Sequence, residues 1–291
     1  MENQTILGVI GGSGVYDIEG LTNVIWKKVS SSFGSPSDEL MFGELNGLKI
    51  VFLPRHGRGH LIPPSEVNYQ ANIEILKKVG VTDIISVSAV GSLKEKLEPG
   101  CFVIVDQFID RTFARKKSFF GTGLVAHVSM AHPVCNRLGD LIENSLKSQN
   151  IRHERGGTYI AMEGPQFSSI AESNLYRSWG CDVIGMTNMP EAKLAREAEM
   201  CYATVAMVTD FDCWHPEHDN VTVDMIIKTL LSNSDKAKSL VKALSNLLSN
   251  SDSTECNCKL SLENALITSP ERRDPKMLKQ LKYIIKRVEK N

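Results

Sequence analysis

Short apolar runs recur along the chain, and each stops abruptly at glycine, hydroxyl or charged residues. Ile6 to Ile10 runs into Gly11-Gly12-Ser13-Gly14, Leu48 to Leu53 into Pro54-Arg55-His56-Gly57, and Ile84 to Val90 into Gly91-Ser92. Cys101 to Val105 meets Asp106, and Tyr202 to Val208 ends in Thr209-Asp210-Phe211-Asp212. Runs of this length between turn residues read as buried strands. Between them lie segments with helical spacing or helix start and stop signals, over 65–80, 133–149, 169–179, 191–199 and 223–248. The alternation predicts an α/β chain.

Local signals refine these elements. Asn46-Gly47 between Glu39–Leu45 and Leu48–Leu53 predicts a tight hairpin. Ser65 is the expected cap of the helix that ends near Gly80, and Thr222 or Asp219 that of the long helix over 223–248. That helix is expected to bury Ile226, Ile227, Leu230, Leu231, Ala237, Leu240, Val241 and Leu244 on one face. Pro190 suits the first turn of the helix over 191–199, whose acidic start favours the helix dipole. A last helix is expected from Asp274-Pro275 through Val288, docking at an interface. The glycine-containing stretch 115–132, with His127, reads as a loop over a pocket or a subunit contact.

In an α/β sheet the ligand crevice lies beyond the carboxyl ends of strands, so the residues after each run carry the candidate chemistry. Asp210 and Asp212 stand at one such end. Two neighbouring acids raise one another's pKa, which makes a proton donor of at least one, although a helix cap accounts for an Asp there equally simply. Arg55, His56, Arg58 and His60 fall within seven residues among glycines, a concentration that reads as an anion site or as a solvated basic loop. Ser13 in the first glycine turn belongs either to an anion site or to the turn itself. A nicotinamide module is excluded there, because Asp17 stands where the dinucleotide fingerprint requires glycine. Glu163 and Phe167 offer an edge and a face contact to a flat heterocycle, and Asp106 to Thr112 either orients the site or forms a structural ion pair.

Composition narrows the partners. The 291 residues suffice for one large domain, and 33 basic against 34 acidic residues give a net charge of −1. Neither nucleic acid nor an anionic membrane is attracted by such a chain, so an anionic ligand needs a local site. The start Met1-Glu-Asn-Gln lacks a basic leader region, and no apolar stretch approaches the roughly 20 residues of a membrane span; a cytoplasmic location is expected. Of seven cysteines, Cys101, Cys135, Cys181 and Cys201 read as reduced core residues. Cys256-Asn257-Cys258 stands apart, but without a second pair at zinc spacing no metal is expected.

Taken in order, Ile10-Gly-Gly-Ser-Gly14, Pro54-Arg-His-Gly57, Asn68-Tyr-Gln-Ala-Asn72, Gly91-Ser-Leu93, Asp106 to Thr112, Glu163-Gly-Pro-Gln-Phe-Ser168, Gly185-Met-Thr187 and Thr209-Asp-Phe-Asp-Cys-Trp214 resemble the trimeric purine nucleoside phosphorylase family, in its methylthioadenosine branch. The likeness covers about residues 6–248. It implies a single domain over 1–291, with a core over 6–248 and a C-terminal extension over 249–291. It also implies a central mixed, twisted β-sheet flanked by helices, and a homotrimer. The implied reaction is phosphorolysis: phosphate attacks the anomeric carbon of a nucleoside and releases the purine, with inorganic phosphate as co-substrate and neither metal nor organic cofactor.

The resemblance further implies phosphate binding by Ser13, Arg55, His56, Ser88, Ala89 and Thr187, a ribose site lined by Met186, and stacking by Phe167. Asp210 and Asp212 are then expected at N7 and the 6-amino group of adenine, with Asp210 as proton donor. Val223 and Ile226 are nominated for the 5′ pocket, with His127 from a neighbouring subunit. The 6-oxopurine branch presents Asn in place of one acid, so Asp favours adenine nucleosides. Ser13 where Thr is more frequent, Gln166 where Arg is common and Val90 where Cys or Ala is seen are departures. Broader or 6-oxopurine specificity and a non-catalytic nucleotide-binding role are the alternatives.

Overall fold

The computed structural model describes residues 5–12, 14–215, 223–250 and 256–289, with 223–228 described by their backbone alone. Eleven strands occur among them: β1 (Ile6–Gly11), β2 (Thr22–Lys27), β3 (Leu40–Leu45), β4 (Leu48–Pro54), β5 (Asp83–Ser92), β6 (Phe102–Val105), β7 (Gln107–Asp110), β8 (His153–Arg155), β9 (Thr158–Ala161), β10 (Val183–Gly185) and β11 (Cys201–Asp210). The helices are α1 (Tyr69–Lys78), α2 (Asn136–Ser148), α3 (Ile170–Ser178), α4 (Asn188–Glu197), α5 (Val223–Ser249) and α6 (Pro275–Leu281).

All eleven strands belong to one mixed sheet with β5 at its centre. β5 runs parallel to β1 and β11, β1 runs parallel to β4, and β10 meets the last residues of β5 antiparallel. The carboxyl ends of β4, β1, β5 and β11 therefore open on one edge. This is where the polar residues after each apolar run were expected to meet. The β3–β4 hairpin forms in the predicted register, Leu45 opposite Leu48, with Asn46 at φ 53° and Gly47 at φ 76°. Both values lie in the left-handed region that a two-residue hairpin turn demands.

Alternate strand residues feed two apolar layers. Leu7 and Val9 of β1 pack with Leu138, Ile142 and Leu146 of α2 and with Ala237, Leu240, Val241 and Leu244 of α5. Ile10 faces the other way, into a cluster with Ile73 and Leu76 of α1, Leu194 of α4, and Leu281, Ile284 and Ile285. Helices thus cover both faces of the sheet, as period-2 strands buried on both sides require.

Several local expectations are corrected. Asn68, not Ser65, caps α1, its Oδ1 accepting from Ala71 N at 3.1 Å; Ser65 instead donates to Glu163. The family-like stretch 68–72 is largely structural: Asn68 also donates to Phe33 O, Gln70 to Ser118 O and Asn72 to Ser37 Oγ, each within 2.8 Å. Leu231 is 67 % exposed, so it leaves the buried face of α5; Ile226 and Ile227 and the caps Thr222 and Asp219 lie outside the described side chains. α6 is shorter than expected, is capped by Asp274, and leads into residues that pack on the chain's own core. No helix among the described residues is long and apolar enough to cross a membrane.

Candidate active site

At the β4 end of the crevice, Arg55 is 2 % exposed and anchored from several sides. Its Nε donates to Glu191 Oε2 at 2.9 Å, Nη2 to Ser86 Oγ at 2.6 Å and to Glu191 Oε1 at 3.2 Å, and Nη1 to Val87 O at 3.1 Å. Four of its five N–H groups are thus held. The fifth, on Nη1, remains for a ligand beside Val87–Ser88. Burial alone works against the Arg55 charge, and Glu191 outweighs it, so the guanidinium stays fully protonated. The Arg55 N–H donates to Gly11 O at 2.9 Å, which places Arg55 against the first glycine turn.

His56 follows immediately. Its Nδ1 lies 2.8 Å from Ile62 O and its ring stacks on His60, centroids 4.3 Å apart. Burial, reinforced by the Arg55 charge, pushes its pKa down to about 4, so the imidazole is neutral at pH 7. A carbonyl partner assigns the proton to Nδ1 and leaves Nε2 as an acceptor. A neutral His56 so arranged matches a P–OH rather than an unprotonated phosphate oxygen.

β10 brings a third group. Because it returns antiparallel to the end of β5, Thr187 reaches Ser88, Oγ1 to Oγ 3.0 Å. Tyr159 OH stands 3.3 Å from Ser88 Oγ and 3.5 Å from Thr187 N. Arg55, Ser88, Ala89 and Thr187 are therefore assembled at one end of the crevice, with His56 next to Arg55 in the chain and held by Ile62 and His60, while Ser13 lies outside the described residues.

Three residues further along β5, about 10 Å in an extended strand, Gly91 faces the acid pair. Asp210 pairs with Gly91 where the β11 register shifts. A Cβ on Gly91 would stand 3.0 Å from Asp210 Oδ1 and 3.3 Å from Asp212 Cβ, so the bare backbone lets the carboxylates close on the strand. Asp210 Oδ2 accepts from Thr209 Oγ1 at 2.6 Å and Oδ1 from Asp212 N at 2.8 Å. Burial nevertheless raises the Asp210 pKa, and burial with the Asp210 charge raises that of Asp212. Asp212 sits at φ 52° in a tight turn. Trp214 clamps that turn by donating Nε1 to Ser92 O at 2.7 Å, under the Arg177 guanidinium 3.7 Å from its ring.

The remaining expected residues divide. Met186 directly precedes Thr187, and its carbonyl accepts from Arg115 Nη1 at 2.6 Å. Phe167 is 52 % exposed in the connection between β9 and α3. His127 is not brought to the acids within one chain. It lines a separate cavity of about 410 Å³ with Phe120, Val125 and Glu197. The side chains of Val223 and Ile226 lie outside the described residues. Glu163 is committed elsewhere: it accepts from Ser65, from the backbone N–H of Ala114 at 3.1 Å and from Arg115 Nε at 3.1 Å. Burial opposes its charge, but these donors hold its pKa down to about 2. Asp110 likewise forms a structural ion pair, with Lys193 at 2.5 Å and Lys117 at 3.1 Å.

Sequence patterns concealed the site's supports. Glu191, expected only to favour a helix dipole, is 1 % exposed and receives Ser86 Oγ at 2.6 Å and Tyr202 OH at 2.8 Å besides Arg55. Asn188 donates to Ser86, Tyr202 and Thr204 within 3.0 Å, and Arg115 ties the Met186 and Met189 carbonyls to the 115–132 loop. No local pattern set them apart, because α4 also carries Lys193, Arg196 and Glu197.

Known proteins resemble this chain throughout. The model of the phosphorylase superfamily matches residues 6–246. The S-methyl-5′-thioadenosine phosphorylase of Rhodospirillum rubrum is 63 % identical over 286 residues, covering 98 % of this chain and 97 % of that protein. Its counterpart from Cereibacter sphaeroides is 57 % identical over 98 % and 99 % of the two chains. The crystal structure of a methylthioadenosine phosphorylase from an antarctic soil metagenomic library superposes with a TM-score of 0.92 at 46 % identity, over 97 % of this chain and 99 % of that one. The Schistosoma mansoni methylthioadenosine phosphorylase in complex with adenine gives 0.82 at 36 % identity, over 86 % and 93 %. With the strand-end groups in place and likeness over nearly its whole length, the chain belongs to the phosphorylase superfamily and, within it, to the S-methyl-5′-thioadenosine phosphorylases.

Proposed function

We propose that the protein cleaves S-methyl-5′-thioadenosine with inorganic phosphate, giving adenine and 5-methylthioribose 1-phosphate, and so serves purine and methionine salvage. The observation that carries this reading is the spacing of two unlike groups along β5. Hydroxyls and a guanidinium gather around Ser88, while the half-buried Asp210 and the buried Asp212 stand at Gly91. That separation accommodates a ribose with phosphate at one side and base at the other.

Phosphate held by the Arg55 Nη1 hydrogen, Ser88, the Ala89 backbone, Thr187 and Ser13, with His56 Nε2 accepting its remaining proton, approaches the anomeric carbon. Breaking the glycosidic bond places positive charge on the sugar, which the adjacent phosphate stabilises, and negative charge on the departing purine. An acid of raised pKa relieves the latter by protonating N7. Asp210 takes this role, its burial favouring the neutral form. Asp212 as a carboxylate accepts from the 6-amino group and repels a 6-oxo group, which selects adenine over hypoxanthine. Met186 lines the ribose site, and Phe167 gains a partner by stacking near the sugar or base.

The reaction balances with phosphate alone as co-substrate and calls on no organic cofactor or metal for the bond exchange. His127, remote from the acids of its own chain, serves the 5′ pocket of an adjacent subunit, together with that subunit's own Val223 and Ile226 positions, in a cytoplasmic homotrimer. The test is specificity: kcat/KM for methylthioadenosine is expected to exceed that for adenosine and to exceed that for inosine by at least about 10²-fold, the range of a site whose polar groups mismatch the substrate. Inosine turned over as well as methylthioadenosine would refute the assignment of the acids.

A further inference from the structure

Outside the strand-end crevice, four cysteines from three separate stretches of chain meet at one point. Cys135 precedes α2, Cys201 opens β11, and Cys256 and Cys258 begin the segment that leads to α6. All are free thiols, and their four Sγ atoms lie within 4.8 Å of one another, Cys135 and Cys256 at 3.5 Å. In a tetrahedral thiolate site with metal–sulfur bonds of about 2.3 Å, sulfurs stand roughly 3.8 Å apart. The cluster already has the ligand type, number and span of a closed zinc site, and small rotamer changes bring it to that geometry.

The charges around it agree. Arg196 Nη1 donates to Cys258 Sγ at 3.6 Å. The Arg137 guanidinium, paired with Asp83, acts on Cys201 and Cys135, and its Nε is buried without a hydrogen-bond partner. Four neutral thiols offer such cations little. Four thiolates around one Zn²⁺ carry a net charge of −2 and accept N–H···S hydrogen bonds, the outer-shell pattern of metal sites. A cavity of about 510 Å³, lined by Cys135, Cys256, Cys258, Arg137 and Arg196, gives a metal access. Disulfides in place of the metal need an external oxidant.

We propose that Cys135, Cys201, Cys256 and Cys258 bind one structural zinc ion. The ion joins the C-terminal segment to α2 and β11. That segment in turn holds the loop of His127: Ala265 O accepts from His127 N, Val125 O from Ile267 N, and Thr268 Oγ1 from Val125 N, each at 2.9 Å. Pattern reading missed the site because Cys135 and Cys256 are 121 residues apart.

The test uses the full chain, purified anaerobically under reducing conditions and reconstituted with zinc. About one zinc per chain is expected by elemental analysis, falling at least about tenfold in Cys256→Ser and Cys258→Ser, in keeping with loss of a ligand. Cobalt replacing zinc is expected to show the intense visible bands of a tetrahedral tetrathiolate, a readout on the unaltered chain that decides the matter if the variants fail to fold. Less than about 0.1 zinc per chain, a weak octahedral cobalt spectrum, or a mass four hydrogens lighter from two disulfides would each overturn the proposal.

Discussion

Replacing Glu191 by Ala tests whether the anion end of the crevice rests on a buried ion pair. Glu191 receives two hydrogen bonds from Arg55 and one each from Ser86 and Tyr202, and both charged side chains are 2 % exposed. Deleting the carboxylate leaves the Arg55 charge buried with Ser86 Oγ and Val87 O as its partners. Breaking such a pair from one side costs about 3–5 kcal/mol, far more than the net worth of the intact pair. For 291 residues the unfolding entropy is about 0.6 kcal/mol/K. The expected fall in Tm is therefore about 5–8 °C. Calorimetry measures it, and titration with inorganic phosphate should show weaker binding because the guanidinium loses the two hydrogen bonds to Glu191 that fix its orientation. Glu191→Gln, which keeps acceptor and volume, should lose less. A Tm within about 1 °C of the parent would refute the reasoning, since an unpaired buried charge cannot be that cheap.

Other perturbations separate the remaining parts. Asp210→Asn should lower kcat by about 10²–10⁴-fold, the usual worth of a positioned acid, while phosphate affinity changes less than about twofold; equal losses in both would deny Asp210 the proton. Gly91→Ala pushes a methyl against Asp210 and Asp212 and should cost about tenfold in kcat with little change in Tm; unchanged turnover would show that the acids tolerate displacement. His56 has a folded pKa of about 4, below its ordinary 6.5, so the stability it confers is present above pH 6.5 and lost as pH falls toward 4. The acid limb of Tm against pH should therefore be shallower in His56→Gln across that window; Glu163 and Asp110, held down to about 2, add their own loss at lower pH.

Much of the architecture was legible because local chemistry and tertiary structure agree. Asn46-Gly47 supplies the left-handed turn its hairpin needs, Ser169 and Glu172 cap α3 reciprocally, and the polar residues after β1, β4, β5 and β11 meet at one sheet edge, whereas Asp106, after the antiparallel β6, leaves at the other. What escaped was set by distance in sequence. Glu191 lies 136 residues from Arg55, and nothing near either announces the pairing. Ser65 and Glu163 carried plausible local roles, a cap and a base contact, yet each satisfies the other 98 residues away. Leu231 matched the apolar period of α5 but lies on its exposed face, while Asn233, two residues on, is buried and donates to Val208 O. His127 lies away from the acids of its own chain, at a separate cavity with Phe120, Val125 and Glu197, so its proposed role in the 5′ pocket of a neighbouring subunit has no counterpart within a single chain.

The central claim is phosphorolysis, and its most direct measurement is adenine release from methylthioadenosine with and without phosphate. Release is expected only with phosphate present, accompanied by one equivalent of 5-methylthioribose 1-phosphate. Adenine released at the same rate without phosphate, with free methylthioribose as the other product, would contradict the account.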